Sequence, residues 1–422
     1  MSFSQLFVDY YHIIRSSLST SWWFVLPIGL YYIFYQLYIR QIWRDFKGKM
    51  KWSMIEVKPP RNIERSPKTM EQVFQGLHGA FSTLNYFDIY LKGKRFQPMF
   101  IFEMLGKNGE LRFFIRMEKK FQAMVESLIY AQYPEAEIEE AEDYTRDVPS
   151  NLPNSEWDLW GADFELTKDN AYPIKMYTSF QEEVTKGMIE PIGTLADLVT
   201  GLPSGVQAWL QFLILPLKDS EWQPHIKKVV SKLTYREEKK EEFFVVRFFQ
   251  EAVEIIASAL KYIFNPVEEV KEEKKDDQPL LWRLTPMEKE VMEAVEQSFN
   301  RKAFKTKLRF VLVGPRETFS EDDRKGIIGF IEQFNSPNFN TFKTNNDTKT
   351  YANYFFVDMR KRWTKKKIFL RYITRDNDGP NVILNSAELA TMYHMPEMSA
   401  MSPAISRIEA KKGGPPINLP VE

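Results

Sequence analysis

The chain has 422 residues, enough for two or three globular domains, and 27% of the residues are charged. Its 57 basic and 57 acidic residues balance, so the chain lacks the strongly basic character of a dedicated nucleic-acid-binding protein. It contains no cysteine, which excludes disulfides, thiolate catalysis and cysteine-ligated zinc or iron–sulfur centres.

An uncharged stretch near the N-terminus predicts a transmembrane anchor over residues 22–43. Residues 16–39 carry no charged side chain, and a helix rising about 1.5 Å per residue over that length crosses a hydrocarbon core of about 30 Å. A cleaved signal peptide or a buried core helix fits less well, because the basic residues follow the apolar run and the run is long. By the positive-inside rule, residues 1–21 form a short external segment and the body is cytoplasmic. The basic residues after the run are Arg40, Arg44, Lys47, Lys49, Lys51 and Lys58.

Residues 44–67 are basic and proline-containing, which indicates a juxtamembrane linker attracted to anionic lipid headgroups. Residues 68–226 are then predicted to form a first α+β domain. Apolar side chains recur at helical spacing from Met70, and two apolar strands are joined by a turn at residues 106–109. A second helix and a strand follow, so the predicted sheet is antiparallel and covered on one face.

Residues 227–282 combine an amphipathic helix with a charged linker. In residues 243–264 the apolar side chains occupy about two-thirds of the helix surface, which is too wide for a helix facing water. This helix is therefore predicted to pack on its own domain, to pair with a second copy of the chain, or to lie in the membrane interface. The expected contact residues are Phe243, Phe244, Phe248, Ile255 and Leu260.

A second α+β domain is predicted over residues 283–397. Thr285 and Glu288 form a capping-box pattern that opens its first helix, and residues 307–315 form an apolar strand. Residues 351–359 and 367–374 are interpreted as further strands. Both domains thus show helix, strand, helix and strand in turn, the pattern of a duplicated unit. The predicted fold class is α+β, with one transmembrane helix followed by antiparallel-sheet sandwich units and a ferredoxin-like order as one arrangement.

The sequence contains no recognisable constellation of catalytic residues. No segment matches the phosphate-binding loop GxxxxGK[ST], so nucleotide hydrolysis by such a loop is not expected. The four histidines lie far apart and have no metal-ligating partner at helical spacing. We therefore expect no catalytic, cofactor or metal site, and predict that the chain is not an enzyme.

A basic cluster interleaved with aromatic residues occurs late in the second domain. Such a cluster fits either a solvated hairpin tip or a contact with an anionic surface, namely nucleic acid or phospholipid headgroups. The candidate contact residues are Arg360, Lys361, Arg362, Trp363, Lys365, Lys366, Lys367 and Arg371.

Several segments carry a resemblance to a known family. They are GLHGA (76–80), FFIR (113–116), IYAQYPEAEIEEAEDYT (129–145), QAWLQFLILPLKDSEW (207–222), AELATMYHMP (387–396) and EAKKGGPPINLP (409–420). Together they resemble the membrane-anchored region that precedes the motor in ATPases related to conjugative coupling proteins and HerA-type DNA translocases of candidate-phyla bacteria. In that family the proline-rich segment leads into the ATPase domain, which this sequence does not contain.

The resemblance implies a non-enzymatic, membrane-anchored cytoplasmic module of a type IV secretion or DNA-transfer apparatus. Its expected partners are membrane lipid and a separate P-loop ATPase, with a second copy of the chain and nucleic acid as further partners. The proline- and glycine-rich tail, residues 398–422, is expected to bind the ATPase through Pro415, Pro416 and Pro420. The alternatives are a membrane-surface scaffold of an envelope machine unrelated to DNA, and an enzyme with no recognisable site.

The three interpretations of residues 243–264 are separated by one substitution. We expect Ile255→Glu to disrupt whichever contact the apolar face makes, because a charge placed on that face is costly to bury. Loss of liposome flotation by the 44–422 fragment would identify a membrane contact, and a smaller particle by size-exclusion chromatography would identify self-pairing. A variant unchanged in both measurements would indicate that the helix packs on its own domain.

Overall fold

One antiparallel sheet organises the chain in the computed structural model. The structure describes residues 26–42, 48–60, 66–90, 97–178, 191–233, 285–353 and 355–396, together with residues 23, 45 and 46. Within these ranges nine strands form a single sheet, in the order β4-β1-β3-β2-β6-β7-β5-β8, with β9 paired to β7. All eight strand pairings are antiparallel. The α+β class is confirmed.

The strands are β1 (Trp52–Lys58), β2 (Phe100–Lys107), β3 (Glu110–Glu118), β4 (Glu137–Glu140), β5 (Trp157–Leu166), β6 (Gln207–Pro216), β7 (Ala303–Pro315), β8 (Phe342–Thr344) and β9 (Val382–Asn385). The helices are α1 (Lys68–Leu77), α2 (Tyr86–Tyr90), α3 (Gln122–Gln132), α4 (Pro191–Thr200), α5 (Asp219–Leu233), α6 (Pro286–Phe299), α7 (Arg324–Glu332), α8 (Val357–Ile373) and α9 (Ser386–Met392). Short 3₁₀ turns occur at His78–Ala80, Lys119–Phe121, Tyr144–Asp147 and Glu321–Asp323.

The sheet consists of two halves with the same order of elements. In the first half β1, α1, β2, β3, α3 and β4 occur in this order, with short α2 before β2, and the strands lie in the order β4-β1-β3-β2. In the second half β5, α4, β6, β7, α7 and β8 occur in this order, with α5 and α6 between β6 and β7, and the strands lie in the order β6-β7-β5-β8. The two orders are mirror-related about the β2–β6 pairing, which joins the halves edge to edge.

Alternation of side chains along the strands places the main core on one face of the sheet. Phe102 and Phe212 point to this face from the two central strands, and α1, α3, α4, α7 and α9 cover it. Tyr393, just after α9, closes this core at the junction of the halves. Its ring centroid lies 5.0 Å from that of Phe102 and 6.1 Å from that of Phe212.

The opposite face is also covered, which the sequence did not predict. Helix α8 packs on β5 and β7 through Ile368, Phe369 and Tyr372, and Trp209 of β6 lies in the same apolar cluster. The predicted strands at 351–359 and 367–374 are therefore wrong, because residues 357–373 form one helix. Its buried residues recur at helical spacing, but the continuous apolar run at its end imitates a strand.

Two further elements differ from the sequence-based expectations. Residues 52–58, expected to be linker, form β1, with Ile55 and Val57 buried on the main core face. The predicted strand after the second helix is reduced to the four residues of β4. The predicted turn at residues 106–109 is confirmed, since β2 and β3 pair around Asn108 and Gly109, whose φ angles are 54° and 80°.

In the part of the chain that the structure describes, no helix is both long enough and apolar enough to cross a membrane. The predicted single span is thus not supported, although residues 26–42 are helical.

Helix α9 begins with a capping box that is completely buried. Asn385 accepts hydrogen bonds from the backbone N–H groups of Ala387 and Glu388, and its own N–H donates to Glu388 Oε2 at 2.7 Å. Glu388 Oε1 accepts a second hydrogen bond, 2.9 Å long, from the N–H of Ile174. Burial raises the pKa of Glu388 to about 7, because the loss of hydration outweighs these two hydrogen bonds.

This buried carboxyl predicts a pH-dependent stability. Between its usual pKa near 4.3 and its folded pKa of about 7, only the folded state binds the proton, so stability falls as pH rises through this window. We expect Glu388→Gln to remove this slope and to add a pH-independent loss of about 1 kcal/mol for one lost hydrogen bond. Urea-unfolding midpoints measured from pH 5 to about pH 8 test this.

The matched control is Glu293→Gln, which removes the same charge from an exposed position on α6. It should keep the wild-type slope. An identical pH dependence in wild type and Glu388→Gln would contradict the assignment of the slope to Glu388.

Candidate functional site

A row of buried polar side chains crosses the second face of the sheet beneath α8. Glu103 of β2 is paired in register with Gln211 of β6, Gln211 with Arg309 of β7, and Arg309 with Asp163 of β5. Gln211 Nε2 donates to Glu103 Oε1 at 2.6 Å, and Arg309 Nε donates to Asp163 Oδ1 at 2.7 Å. Each of the four side chains is at most 1% exposed. A continuous hydrogen-bonded row thus joins the two halves of the sheet.

The carboxyl end of α8 binds this row through its backbone carbonyl groups. Arg309 Nη1 donates to the carbonyl oxygen of Arg371 at 2.7 Å, and Gln211 Nε2 donates to that of Tyr372 at 3.3 Å. Carbonyls in the last turn of a helix lack partners within the helix, and a cation beside them also interacts favourably with the helix dipole. Arg309 therefore fixes the end of α8 on the sheet.

Arg375 adds a second attachment just beyond α8. Its backbone is left-handed, with φ of 51°, and its guanidinium binds Glu103 at 3.1 Å and both oxygens of Asp143 at 2.6 and 2.8 Å. Burial lowers the pKa of Arg375, but attraction to Glu103 and the hydrogen bonds to Asp143 outweigh burial and hold the pKa above its ordinary value. Burial opposes ionisation of Asp143, yet Arg375 brings the pKa of that carboxyl down to about 2. Arg375 and Asp143 are therefore both charged at neutral pH.

The side chains of Arg375, Glu103 and Asp143 are bound to one another. Tyr144 and Tyr372 complete the cluster with a hydroxyl–hydroxyl contact of 2.7 Å, and burial raises the pKa of both phenols. Among the described residues, no group of three His, Asp or Glu side chains is arranged to hold a metal ion. The arrangement is suited to hold α8 in one position.

The predicted basic cluster lies on α8, and the structure divides it in two. Lys365 is buried, with its ammonium 2.9 Å from Asp158 and 3.0 Å from Glu321, so it attaches the middle of the helix. Arg371 is half-buried, 3.9 Å from Asp163. The other members of the cluster are at least partly exposed: Arg360, Trp363, Lys366 and Lys367 lie on the outer side of α8, and Lys361 and Arg362 lie at its flank, beside Asp158 and Arg316.

Apolar side chains share this exposed side, and apart from Trp363, which belongs to the predicted cluster, the sequence did not assign them to it. Phe355 and Phe356 are 85% and 76% exposed, and Trp363 is 62% exposed. Met359 and Leu370 are each more than half exposed and follow at helical spacing. Sequence reasoning missed them because an apolar run is normally assigned to a core. The exposed basic and apolar side chains from Phe355 to Leu370 are called the α8 outer surface below.

Two local features shape the α8 outer surface. Phe356 adopts a left-handed backbone with φ of 57°, an unfavourable conformation for a bulky residue that starts the helix with its ring in solvent. Lys367 Nζ lies 4.7 Å from the centroid of the Trp363 ring, a cation–π contact that keeps charge and ring together. The two other predicted contact sets, in residues 243–264 and at Pro415, Pro416 and Pro420, lie outside the described residues.

A family model described as a domain of unknown function (DUF8128) matches residues 41–407. The match includes both halves of the sheet and α8. No curated protein matches the chain.

The attachment of α8 is tested by removing its buried guanidinium. Arg375→Met leaves Glu103 fully buried without a cation and leaves half-buried Asp143 with Arg116 as its cation, so we expect the free energy of unfolding to fall by about 3–5 kcal/mol. The matched substitution Arg362→Met, on the exposed side of the same helix, should change it by less than about 0.5 kcal/mol. Chemical denaturation measures both, and equal effects would show that the buried cluster does not stabilise the fold.

Proposed function

Since the chain belongs to the family described as a domain of unknown function (DUF8128), we propose its function from its surfaces. It is a non-enzymatic, membrane-attached cytoplasmic module that binds an anionic membrane through the α8 outer surface. It serves a type IV secretion or DNA-transfer apparatus, the setting implied by the family resemblance in its sequence.

The observation that carries the membrane contact is the composition of the α8 outer surface. Five cations on it form no ion pair with any described carboxylate: Arg360, Lys361, Arg362, Lys366 and Lys367. Each Lys or Arg close to an anionic leaflet contributes about 1 kcal/mol to binding. The exposed apolar residues beside them add insertion into the boundary between headgroups and acyl chains.

Lipid fits this surface better than nucleic acid does. Aromatic rings stack on bases, but Met359 and Leu370 are aliphatic and gain most by leaving water for an apolar phase. Nucleic acid is retained as a second candidate because Trp363 and the adjacent cations would also suit a single strand.

The N-terminal helical residues support a second membrane contact. Leu26, Ile28, Phe34 and Leu37 are all exposed, so this helix leaves a large apolar surface uncovered by the described part of the body. In the proposed arrangement the N-terminus is outside and the basic residues following the helix face the cytoplasmic headgroups.

Two contacts of this kind would orient the body. The N-terminal helix leads into β1, whereas α8 lies over β5 and β7. From β1 to β7 there are four strand spacings, or about 19 Å at 4.8 Å each. Attachment at both points places the α8 side of the sheet towards the bilayer and leaves the helices of the main core face available to other components.

A non-enzymatic role is proposed because the carboxylates of Glu103, Asp143 and Asp163 are bound to arginines. The repeated β-α-β-β-α-β order supports two ferredoxin-like halves, an architecture that carries many unrelated functions. The partner ATPase, contacted by the tail at residues 398–422, and association with a second copy belong to the same proposal. A scaffold in an envelope machine unrelated to DNA would use the same surfaces.

The membrane contact is tested with apolar substitutions that leave the charge unchanged. For the 44–422 fragment, which keeps all nine described strands, we expect Met359→Ser/Trp363→Ser/Leu370→Ser to weaken binding to phosphatidylglycerol–phosphatidylcholine vesicles by more than about tenfold. Vesicle co-sedimentation provides the measurement.

The control is Tyr86→Ser/Phe87→Ser, which removes two exposed aromatic rings from α2. It should bind vesicles as the wild type does. Equal binding by the α8 variant and wild type would contradict the membrane proposal, and loss of single-stranded DNA binding by the α8 variant alone would favour nucleic acid.

A further inference from the structure

A polar cleft of about 540 Å³ lies beside the first half of α8. One wall is the helix, and the other is the loop at residues 153–155 together with the end of β7. The volume is in the range of small-molecule sites, and the lining is mainly charged and polar. None of the described residues that line it is aromatic, and the charged lining suits a hydrophilic ion.

The floor of the cleft is a fixed arrangement of one carboxylate and two cations. Asp158 binds Lys365 at 2.9 Å and Arg316 at 3.2 Å. Arg316 Nε also donates to the carbonyl oxygen of Asn154 at 2.8 Å, and Lys365 binds Glu321 at 3.0 Å. These contacts hold the guanidinium of Arg316 at the edge of the cleft, where 47% of its side chain is still exposed.

The helical wall adds two cations that the structure leaves without a carboxylate. Lys361 and Arg362 line the cleft, and neither forms an ion pair with any residue in the described ranges. Asp358, one turn earlier, also lines the cleft and offsets part of this charge. Four cations and two carboxylates therefore surround the space, and one of these carboxylates already binds two of the cations.

We propose that this cleft binds a phosphate group, either of a phosphorylated lipid headgroup or of a soluble phosphomonoester. Arg316 and Arg362 offer planar forks of N–H donors that match phosphate oxygens, and Lys361 supplies a compact positive charge. The hydroxyl of Ser155 on the opposite wall is a further donor.

The position of the cleft connects it with the membrane surface proposed above. Lys361 and Arg362 directly precede Trp363, and Asp358 directly precedes Met359, so the cleft lies next to the α8 outer surface. A body lying with that surface on a bilayer brings the cleft to the depth of the headgroups. The lipid form of the proposal rests on the proposed membrane contact, whereas phosphate binding itself does not.

The experiment compares two double variants of the full chain with equal loss of charge. Lys361→Gln/Arg362→Gln removes two cations of the cleft, and Lys227→Gln/Lys228→Gln removes two exposed cations of α5, which does not line the cleft. Glycerol 3-phosphate is titrated by isothermal calorimetry, and short-chain phosphatidic acid is added in native mass spectrometry, with phosphatidylcholine for comparison. Melting temperatures of both variants establish that they fold.

We expect saturable binding of at least one phosphomonoester by wild type, weakened about tenfold or more in the cleft variant and less than about threefold in the α5 variant. Binding of glycerol 3-phosphate would identify the ligand as a soluble phosphomonoester. Binding of phosphatidic acid alone would identify it as a lipid headgroup. Absence of saturable binding of both probes, or equal weakening in the two variants, overturns the proposal.

The outcome is separable from that of the proposed function. If Met359→Ser/Trp363→Ser/Leu370→Ser still binds vesicles as wild type does, the membrane proposal fails. The cleft proposal nevertheless holds if the protein binds glycerol 3-phosphate. Conversely, if neither phosphomonoester binds but vesicle binding still depends on the apolar residues, the cleft proposal fails and the membrane contact stands.

Discussion

The pairing of Glu103 with Gln211 across the β2–β6 junction is the contact on which both halves of the molecule depend. Because successive side chains of a strand point to opposite faces, a slip of one residue at this junction would turn the buried polar row into the main core. It would bring Phe102 and Phe212 to the side where α8 lies. A buried ion pair often contributes little net stability, since the cost of dehydrating the charges offsets their attraction. Here the Glu103–Gln211 hydrogen bond specifies one register, and the buried ion pairs Asp163–Arg309 and Glu103–Arg375 specify one position for α8.

The two halves use comparable ion pairs within their own strands. In the first half, Glu56 of β1 binds Arg112 of β3 through both of its oxygens, and in the second half Asp163 of β5 binds Arg309 of β7. In each case a carboxylate of the first strand meets an arginine of the third. The Glu56–Arg112 pair is partly open to solvent, whereas the Asp163–Arg309 pair is fully buried beneath α8. The second half has therefore acquired a helix where the first half is more open, and the exposed basic surface comes with that helix.

Sequence periodicity was sufficient for the α+β class, the β2–β3 hairpin and several helices, because each of these depends on residues close in the chain. The capping box of Thr285 and Glu288 is confirmed for the same reason. Strand β1 was assigned to a linker because charged residues flank it. Helix α8 was assigned to strands because apolar residues are concentrated near its end. The sequence identified the basic residues of the candidate site. It did not show that Lys365 is buried and its neighbours exposed, because Lys365 is held by Asp158 and Glu321, which are distant in sequence. The duplicated order of strands appears only when pairing partners are known.

The connection between the second and third strands differs greatly between the halves. In the first half it is the tight turn at Asn108 and Gly109, whereas in the second half residues 217–302 separate β6 from β7. A short hairpin closes with little loss of chain entropy, but a long connection must be closed before its strands can pair. During synthesis the first half is complete in the chain by β4, long before β7 has been made. Until β6 arrives, β2 is an unpaired edge strand with apolar residues on both faces, the kind of edge on which newly made chains associate wrongly. The order of synthesis thus makes β2 the segment of this protein most in need of early protection.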